Sequence, residues 1–361
     1  MSGFARGVLS DRQISQMIKS SQISATHPIG KMQVQPASLD LRLGSVAYRV
    51  RASFLSGKKA SVSDRLEIFK MHEMDLSNGA VLEKGCVYVV PLLESLDLPK
   101  NISAAASAKS SIGRLDLLTR VITDNGVEFD RVPAGYRGQL YVEICPRSFS
   151  VVARKGQMLN QIIFRVGKTI IADFELRQLH NQTPIVSDIA IISDGLRFSV
   201  DLKPSLSDLV GYRAKPHTGV IALDKIAHYD PKDYWEEVRT SKERIILDPG
   251  AFYILVSREA ICIPPNCAAE MAPYLAMVGE FRVHYAGFFD PGFGHSSSGA
   301  GSRGVLEVRC HEAPFVLEHA QIVGRLIYER MSEEPKRLYG SEIASNYQGQ
   351  GLKLSKHFKT G

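Results

Sequence analysis

No window of this 361-residue chain approaches the run of roughly 18 consecutive apolar residues that a membrane-spanning helix needs. The stretch from Met1 to Gly30 also lacks the apolar core of a secretory signal, so the expected location is cytoplasmic, with no membrane partner. Cysteine is sparse. The five residues (Cys86, Cys145, Cys262, Cys267, Cys310) are odd in number, scattered and without C-x-x-C spacing. That pattern argues against a disulfide framework or a zinc knuckle and leaves reduced core thiols. Blocks of Lys and Arg interleaved with aromatics are missing too, so nucleic acid is not an expected partner. The 44 Lys and Arg against 38 Asp and Glu leave a net charge of +6, which favours small anionic ligands without choosing among them.

Several catalytic signatures are likewise absent. A zinc-dependent nucleobase deaminase carries H-x-E followed by P-C-x-x-C to activate water on the metal. Here His72-Glu73 and His311-Glu312 are adjacent pairs with the wrong spacing, and Asn266-Cys267-Ala268-Ala269 has no second cysteine. A P-loop, a nucleophile elbow, a zincin motif and a dinucleotide fingerprint are not found. The glycine- and serine-rich segment Gly292–Gly304 fits none of them and reads as a loop.

What is present points to a mainly β protein with two cores. The length suits two domains of about 100–200 residues. Ser10-Asp11-Arg12-Gln13 has capping-box spacing ahead of Ile14, Met17 and Ile18, which predicts an opening helix. After it come short runs rich in Val, Ile, Tyr and Phe between turn-forming residues, among them Cys86–Pro91, Gln139–Ile144, Phe252–Val256 and Val305–Val308. This spacing predicts a β-sandwich or β-barrel with few short helices.

An internal repeat fixes the domain count. Leu82-Glu83-Lys84-Gly85 precedes Val87–Val90 as Leu247-Asp248-Pro249-Gly250 precedes Phe252–Leu255, an offset of 165 from Gly85 to Gly250. Val142-Glu143-Ile144 matches Leu306-Glu307-Val308 at an offset of 164. The expectation is a tandem duplication divided near Asp194–Asp208, giving halves 1–200 and 201–361. Trp235, after Asp230-Pro231, reads as an anchor for the second core.

Lys109-Ser110-Ser111-Ile112-Gly113-Arg114 sets two cations and two hydroxyls within six residues, a combination that suits phosphate, the more so if a turn leads into a short helix here. This motif and others together resemble the dCTP deaminase family of the dUTPase superfamily. Gln35–Gly44 is similar to the family's first motif, Ala108–Leu115 to its phosphate-binding G-R-S-S-x-x-R-L, and Leu93–Pro99 to its L-E-x-x-x-L-P stretch. Val283–Phe293 resembles the hairpin around the base, Val305-Leu306-Glu307 the strand with the catalytic glutamate, and Asn346–Gln350 the closing tail. The departures are Lys109 in place of Arg, Val132–Tyr136 in place of the Asp-Pro-Gly hairpin, and Tyr274–Met277 where the second copy's serine motif would stand.

The resemblance implies two tandem dUTPase-like domains and hydrolytic deamination of dCTP to dUTP and ammonia by a glutamate-activated water without zinc, with Mg²⁺ arriving on the triphosphate. The alternatives are a dUTP diphosphatase, a bifunctional enzyme, and a regulator that binds nucleotides without turnover. Glu307 or its repeat partner Glu143 would be the base, with Ser110 and Arg114 beside it. Lys109, Ser111, Asp40, Ala286, Phe289, Asp290, Tyr347, Gln348 and Gln350 would bind the nucleotide. The competing roles are structural: a salt-bridged strand residue for Glu307, and an ion pair with Arg42 for Asp40. The family's trimers imply a homo-oligomer with trimer-like domain packing, and the tail is expected to close the site without supporting either core.

Overall fold

The computed structural model describes residues 3–203, 208–273, 281–284, 287–295, 301–310, 312–340, 349 and 351–360. The opening helix α1 (Asp11–Lys19) forms with its capping box intact: Ser10 N–H donates to Gln13 Oε1 (2.9 Å) while Gln13 N–H donates to Ser10 Oγ (3.3 Å). Its apolar face buries Ile14 and Met17.

Each half is a pair of facing β-sheets. In the first half one sheet holds Met158–Val166, Ile102–Ala108 and β1 (Leu39–Arg42). The other holds β2 (Val87–Asp97), β3 (Leu117–Thr123) and β4 (Arg137–Pro146). In the second half β5 (Phe252–Ile261), β6 (Phe281–His284) and β7 (Ser302–Cys310) take the places of β2, β3 and β4. The register carries the repeat residue by residue. Glu143 on β4 lies between Val89 and Arg120, and Glu307 on β7 lies between Ile254 and His284.

The second copy begins earlier than the sequence pattern suggests. A helix at Asp173–Gln182 opens it as α1 opens the first, and Leu196–Ser199 already pairs with Ile322–Arg330. Leu176, Ile185, Leu196 and Phe198 belong to the second core. The joint therefore lies just after Val166, and the described residues from the helix Asp173–Gln182 to Leu202 belong to the second copy.

The two copies are fastened along their length. Val151–Ala153 pairs in parallel with Ile221–Ala222 across the halves. Arg165 pairs with Glu329 (2.6 Å) and Glu270 (2.9 Å), and Arg309 with Asp116. Trp235 does not anchor the second core: its ring lies 5.3 Å from that of Phe149 and 5.9 Å from that of Phe358, in the core cluster of the first half. The C-terminal stretch returns to the same cluster, where Phe358 is 2% exposed. So the tail, after Gln350, does support a core, because an aromatic ring at its end finds an apolar slot. The cysteines form no disulfide among the described residues, and Cys267 and Cys310 are buried. Among the described residues no helix is long and apolar enough to cross a membrane.

Candidate active site

The phosphate-type motif sits where the strand Ile102–Ala108 ends. Lys109 N–H donates to Leu159 O (2.8 Å), and one helical turn, α2 (Ser110–Gly113), follows with Ile112 and Leu115 sunk in the core. The apolar pair holds the turn, so Lys109 and Ser110 stay partly exposed while Ser111 and Arg114 are buried.

Lys109 reaches Asp40 on β1 and forms an ion pair with it. Asp40 is 1% exposed, and burial raises its carboxyl against the opposing pull of Lys109. The suggested pairing of Asp40 with Arg42 does not occur. Arg42 Nε instead donates to buried Glu94 (2.7 Å), which also accepts from Arg42 N–H (2.8 Å) and Gln33 Nε2 (3.1 Å). Gln33 Nε2 in turn donates to Asp40 O (3.0 Å), so Glu94 and Gln33 brace the strand that presents Asp40.

The second half supplies the other wall. Asp290 Oδ1 accepts from Ala37 N–H (3.2 Å), and its carboxyl is pushed up to about 7 by burial, then by Asp40, with Lys109 opposing. Phe289 packs its ring edge-on to Phe293 (5.0 Å) at the rim of the second core. On β7, alternation turns Leu306 and Val308 into the second core and leaves Val305, Glu307 and Arg309 on the side packed against the first half. Glu307 is 3% exposed there. Desolvation pushes its carboxyl up to about 8, and the Arg114 guanidinium from the first half pulls it back.

Its repeat partner has a different environment. Arg120 Nε (3.1 Å) and Nη2 (2.5 Å) both donate to Glu143 Oε1, and the guanidinium stacks over Phe129 (3.6 Å). The same side of the first half is covered by the helix Val62–Phe69, whose Val62 and Leu66 cluster with Val89 and Ile122. The two glutamates thus share a register and differ in what covers them: Glu143 has an arginine and a helix of its own half, and Glu307 has the first half of the molecule.

Of the sequence-derived site residues, Asp40, Lys109 and Asp290 come together, as do Arg114 and Glu307, with Ser110 and Ser111 on the turn between Lys109 and Arg114. Ala286, Tyr347, Gln348 and Gln350 lie outside the described residues, as do Tyr274–Met277 and His311. Sequence reasoning missed the brace of Glu94 and Gln33, although Glu94 lies in the Leu93–Pro99 motif. It also missed the C-terminal residues that touch the turn, where Arg114 Nη1 donates to Lys353 O (3.0 Å) and Ser355 Oγ to Ser111 O (2.7 Å). Among the described residues no three His, Cys, Asp or Glu side chains group as metal ligands.

Comparison with known proteins gives a consistent assignment. Residues 5–168 match the model of the 2'-deoxycytidine 5'-triphosphate deaminase N-terminal domain, and residues 172–358 that of its C-terminal domain. A crystal structure of 2'-deoxycytidine 5'-triphosphate deaminase from Agrobacterium tumefaciens is 54% identical, covers 94% of this chain and 100% of its own, and superposes with a TM-score of 0.90. Shorter relatives match about one repeat. The "dCTP deaminase, dUMP-forming" of Beutenbergia cavernae is 35% identical over 158 residues, 44% of this chain and 78% of the relative. The "dCTP deaminase" of Haemophilus influenzae is 31% identical over 143 residues, 37% of this chain and 70% of the relative. With both halves matched by its paired domain models, the chain belongs to the 2'-deoxycytidine 5'-triphosphate deaminase family.

Proposed function

We propose that this chain converts dCTP and water to dUTP and ammonia, with Glu307 as general base. The observation that carries the reading is a carboxylate 3% exposed, raised to about 8 by burial, and set beside a guanidinium from the opposite half of the molecule. A group titrating near neutrality can both take and return a proton. In the proposed sequence Glu307 accepts a proton from water as the oxygen attacks C4 of the cytosine. The resulting carboxylic acid then protonates the amino group, which leaves as ammonia and restores the carboxylate.

Arg114 and Ser110 would orient the water and the amide edge of the base. Lys109 and Ser111 would hold the triphosphate, and Asp40 and Asp290, which share the Lys109 ammonium, would line the space between phosphate and base. Mg²⁺ would enter as part of the substrate, bound to triphosphate oxygens. Relatives named as dUMP-forming supply the reason to test a second step, cleavage of dUTP to dUMP and pyrophosphate.

The test is release of ammonia and of pyrophosphate from dCTP and from dUTP, with Mg²⁺ and a zinc-selective chelator present. Ammonia from dCTP alone supports the deaminase, and pyrophosphate from dUTP supports the bifunctional alternative. Tight dCTP binding in calorimetry with neither product would identify a nucleotide-binding regulator. Turnover that only added zinc restores would overturn the metal-free chemistry.

A further inference from the structure

The C-terminal stretch does more than fill a slot. Its backbone is held at successive points: Lys356 O accepts from Ala227 N–H (2.9 Å) and His357 O from His228 N–H (2.9 Å). Ser355 Oγ lies 2.8 Å from His357 Nδ1, and His357 Nε2 lies 3.2 Å from Leu223 O. Phe358 closes the stretch in an aromatic cluster with Tyr234 (5.5 Å) and Trp235 (5.9 Å). These anchors use both halves of the molecule, and the Ser355 hydroxyl fixes the segment to the backbone of Ser111 at 2.7 Å. The residue between Ser355 and His357 is therefore presented to the phosphate-type turn by a rigid support.

That residue is Lys356, and we propose that it is a triphosphate-binding residue, a second ammonium beside Lys109 that the C-terminal strap delivers to the site. The contacts of the strap with the turn carry the inference, since Ser355 Oγ donates to Ser111 O (2.7 Å) and Lys353 O accepts from Arg114 Nη1 (3.0 Å), and charge counting supports it. The Lys356 ammonium acts electrostatically on both Asp40 and Lys109. The Asp40 carboxylate is already in an ion pair with Lys109, and among the described residues Lys356 forms no ion pair. Two ammonium groups thus share one carboxylate. The neighbouring Asp290 is pushed up to about 7 and does not carry a full negative charge near neutrality.

Partial burial and repulsion from Lys109 lower the Lys356 ammonium from its ordinary range, the signature of a cation without a matching anion. A polyanion supplies the missing charge, and a triphosphate offers oxygens to both lysines at once.

The inference rests on the nucleotide reading of this site, and the test separates the two. Full-length protein, Lys356→Gln and Lys356→Arg are compared in calorimetry with inorganic tripolyphosphate and with deoxycytidine, and in kinetics with dCTP. Lys356→Gln is expected to weaken tripolyphosphate binding and raise the KM for dCTP by about ten- to a hundredfold, the loss of one charge-assisted contact. Its kcat and its deoxycytidine affinity stay near wild type, and Lys356→Arg recovers most of the loss.

Unchanged tripolyphosphate affinity in Lys356→Gln overturns the proposal. So does a parallel loss of deoxycytidine affinity, which would mark Lys356 as a structural support of the strap. If the wild-type protein releases no ammonia from dCTP, the deaminase reading fails, while the tripolyphosphate comparison still decides the role of Lys356.

Discussion

Exchange of Glu307 for Gln keeps the shape of the side chain and removes its charge, so it measures both what the group does and what it costs. In the folded protein its carboxyl is held at about 8, against an ordinary value of 4.5. A value raised by folding means that stability is full below the unfolded value and is lost as pH rises through the folded one. At about 1.4 kcal/mol per pH unit, the wild type should lose on the order of 4 kcal/mol between pH 5 and pH 9 through this group alone. Glu307→Gln escapes that loss, so urea unfolding at the two pH values should show the variant gaining on wild type by that order. The opposite holds for turnover. Wild-type kcat/KM should rise about tenfold from pH 7 to a plateau as Glu307 ionises, and Glu307→Gln should lack this limb and lose about 10²–10⁴ in kcat. Stability and activity thus pull against each other at one atom pair. Near-normal kcat in Glu307→Gln beside an inactive Glu143→Gln would refute the reasoning and move the base to the first half.

The β architecture and the duplication were legible because they are written in short-range pattern. Leu306 and Val308 alternate with Glu307, as Val142 and Ile144 alternate with Tyr141 and Glu143, and near-constant offsets run through both copies. What separates Glu307 from Glu143 was not legible, since their immediate neighbours are almost the same. The deciding residue is Arg120, which reaches Glu143 only through the pairing of β3 with β4. In the second copy that register position is His284. The start of the second copy was misplaced for a related reason: a polar, Pro-containing stretch looks like a linker, whereas the helix Asp173–Gln182 that opens the copy has Ala172 at its N-cap and no capping side chain there to mark its start. Lys356 was missed because the strap that carries it meets Ser111 through Ser355 and brings it near Asp40, residues far away along the chain, and no local motif encodes that approach.

The first copy's loss of a base hairpin and the second copy's loss of the serine motif also make physical sense together. A ring built from alternating halves cannot close with three members, which is a difficulty for any site formed between unlike domains of different chains. Here the phosphate-type turn of the first half faces the glutamate strand of the second half inside one chain. Each half needs to keep only the part of the site that it presents to the other. The corresponding face of the first half is covered by its own residues 51–69, whose helix Val62–Phe69 packs there, and Glu143 is the partner of Arg120.

Further outcomes follow from these contacts. Lys109→Ala should raise the KM for dCTP by about tenfold or more, and should also destabilise the fold because it strands the buried Asp40 carboxylate. A Lys109→Ala protein with wild-type KM would remove this lysine from the phosphate site. Deleting residues 352–361 should lower the midpoint of thermal unfolding as well as turnover, since the loss of a buried Phe such as Phe358 alone costs about 3–5 kcal/mol. An unchanged midpoint would mean that the strap is not packed as described. Finally, because Glu143 is 1% exposed and its counter-ion is Arg120, Arg120→Ala should leave an uncompensated buried carboxylate and cost about 3 kcal/mol in urea unfolding. Arg120→Ala combined with Glu143→Leu should regain much of that stability. Both proteins should keep kcat within about twofold of wild type, because a contact outside the working site contributes nothing to the transition state. Calorimetry with a dCTP analogue that is not turned over should count one nucleotide per chain. Two bound per chain, with the second abolished by Glu143→Leu, would show that the covered face of the first half opens to substrate and would refute the assignment of a single site.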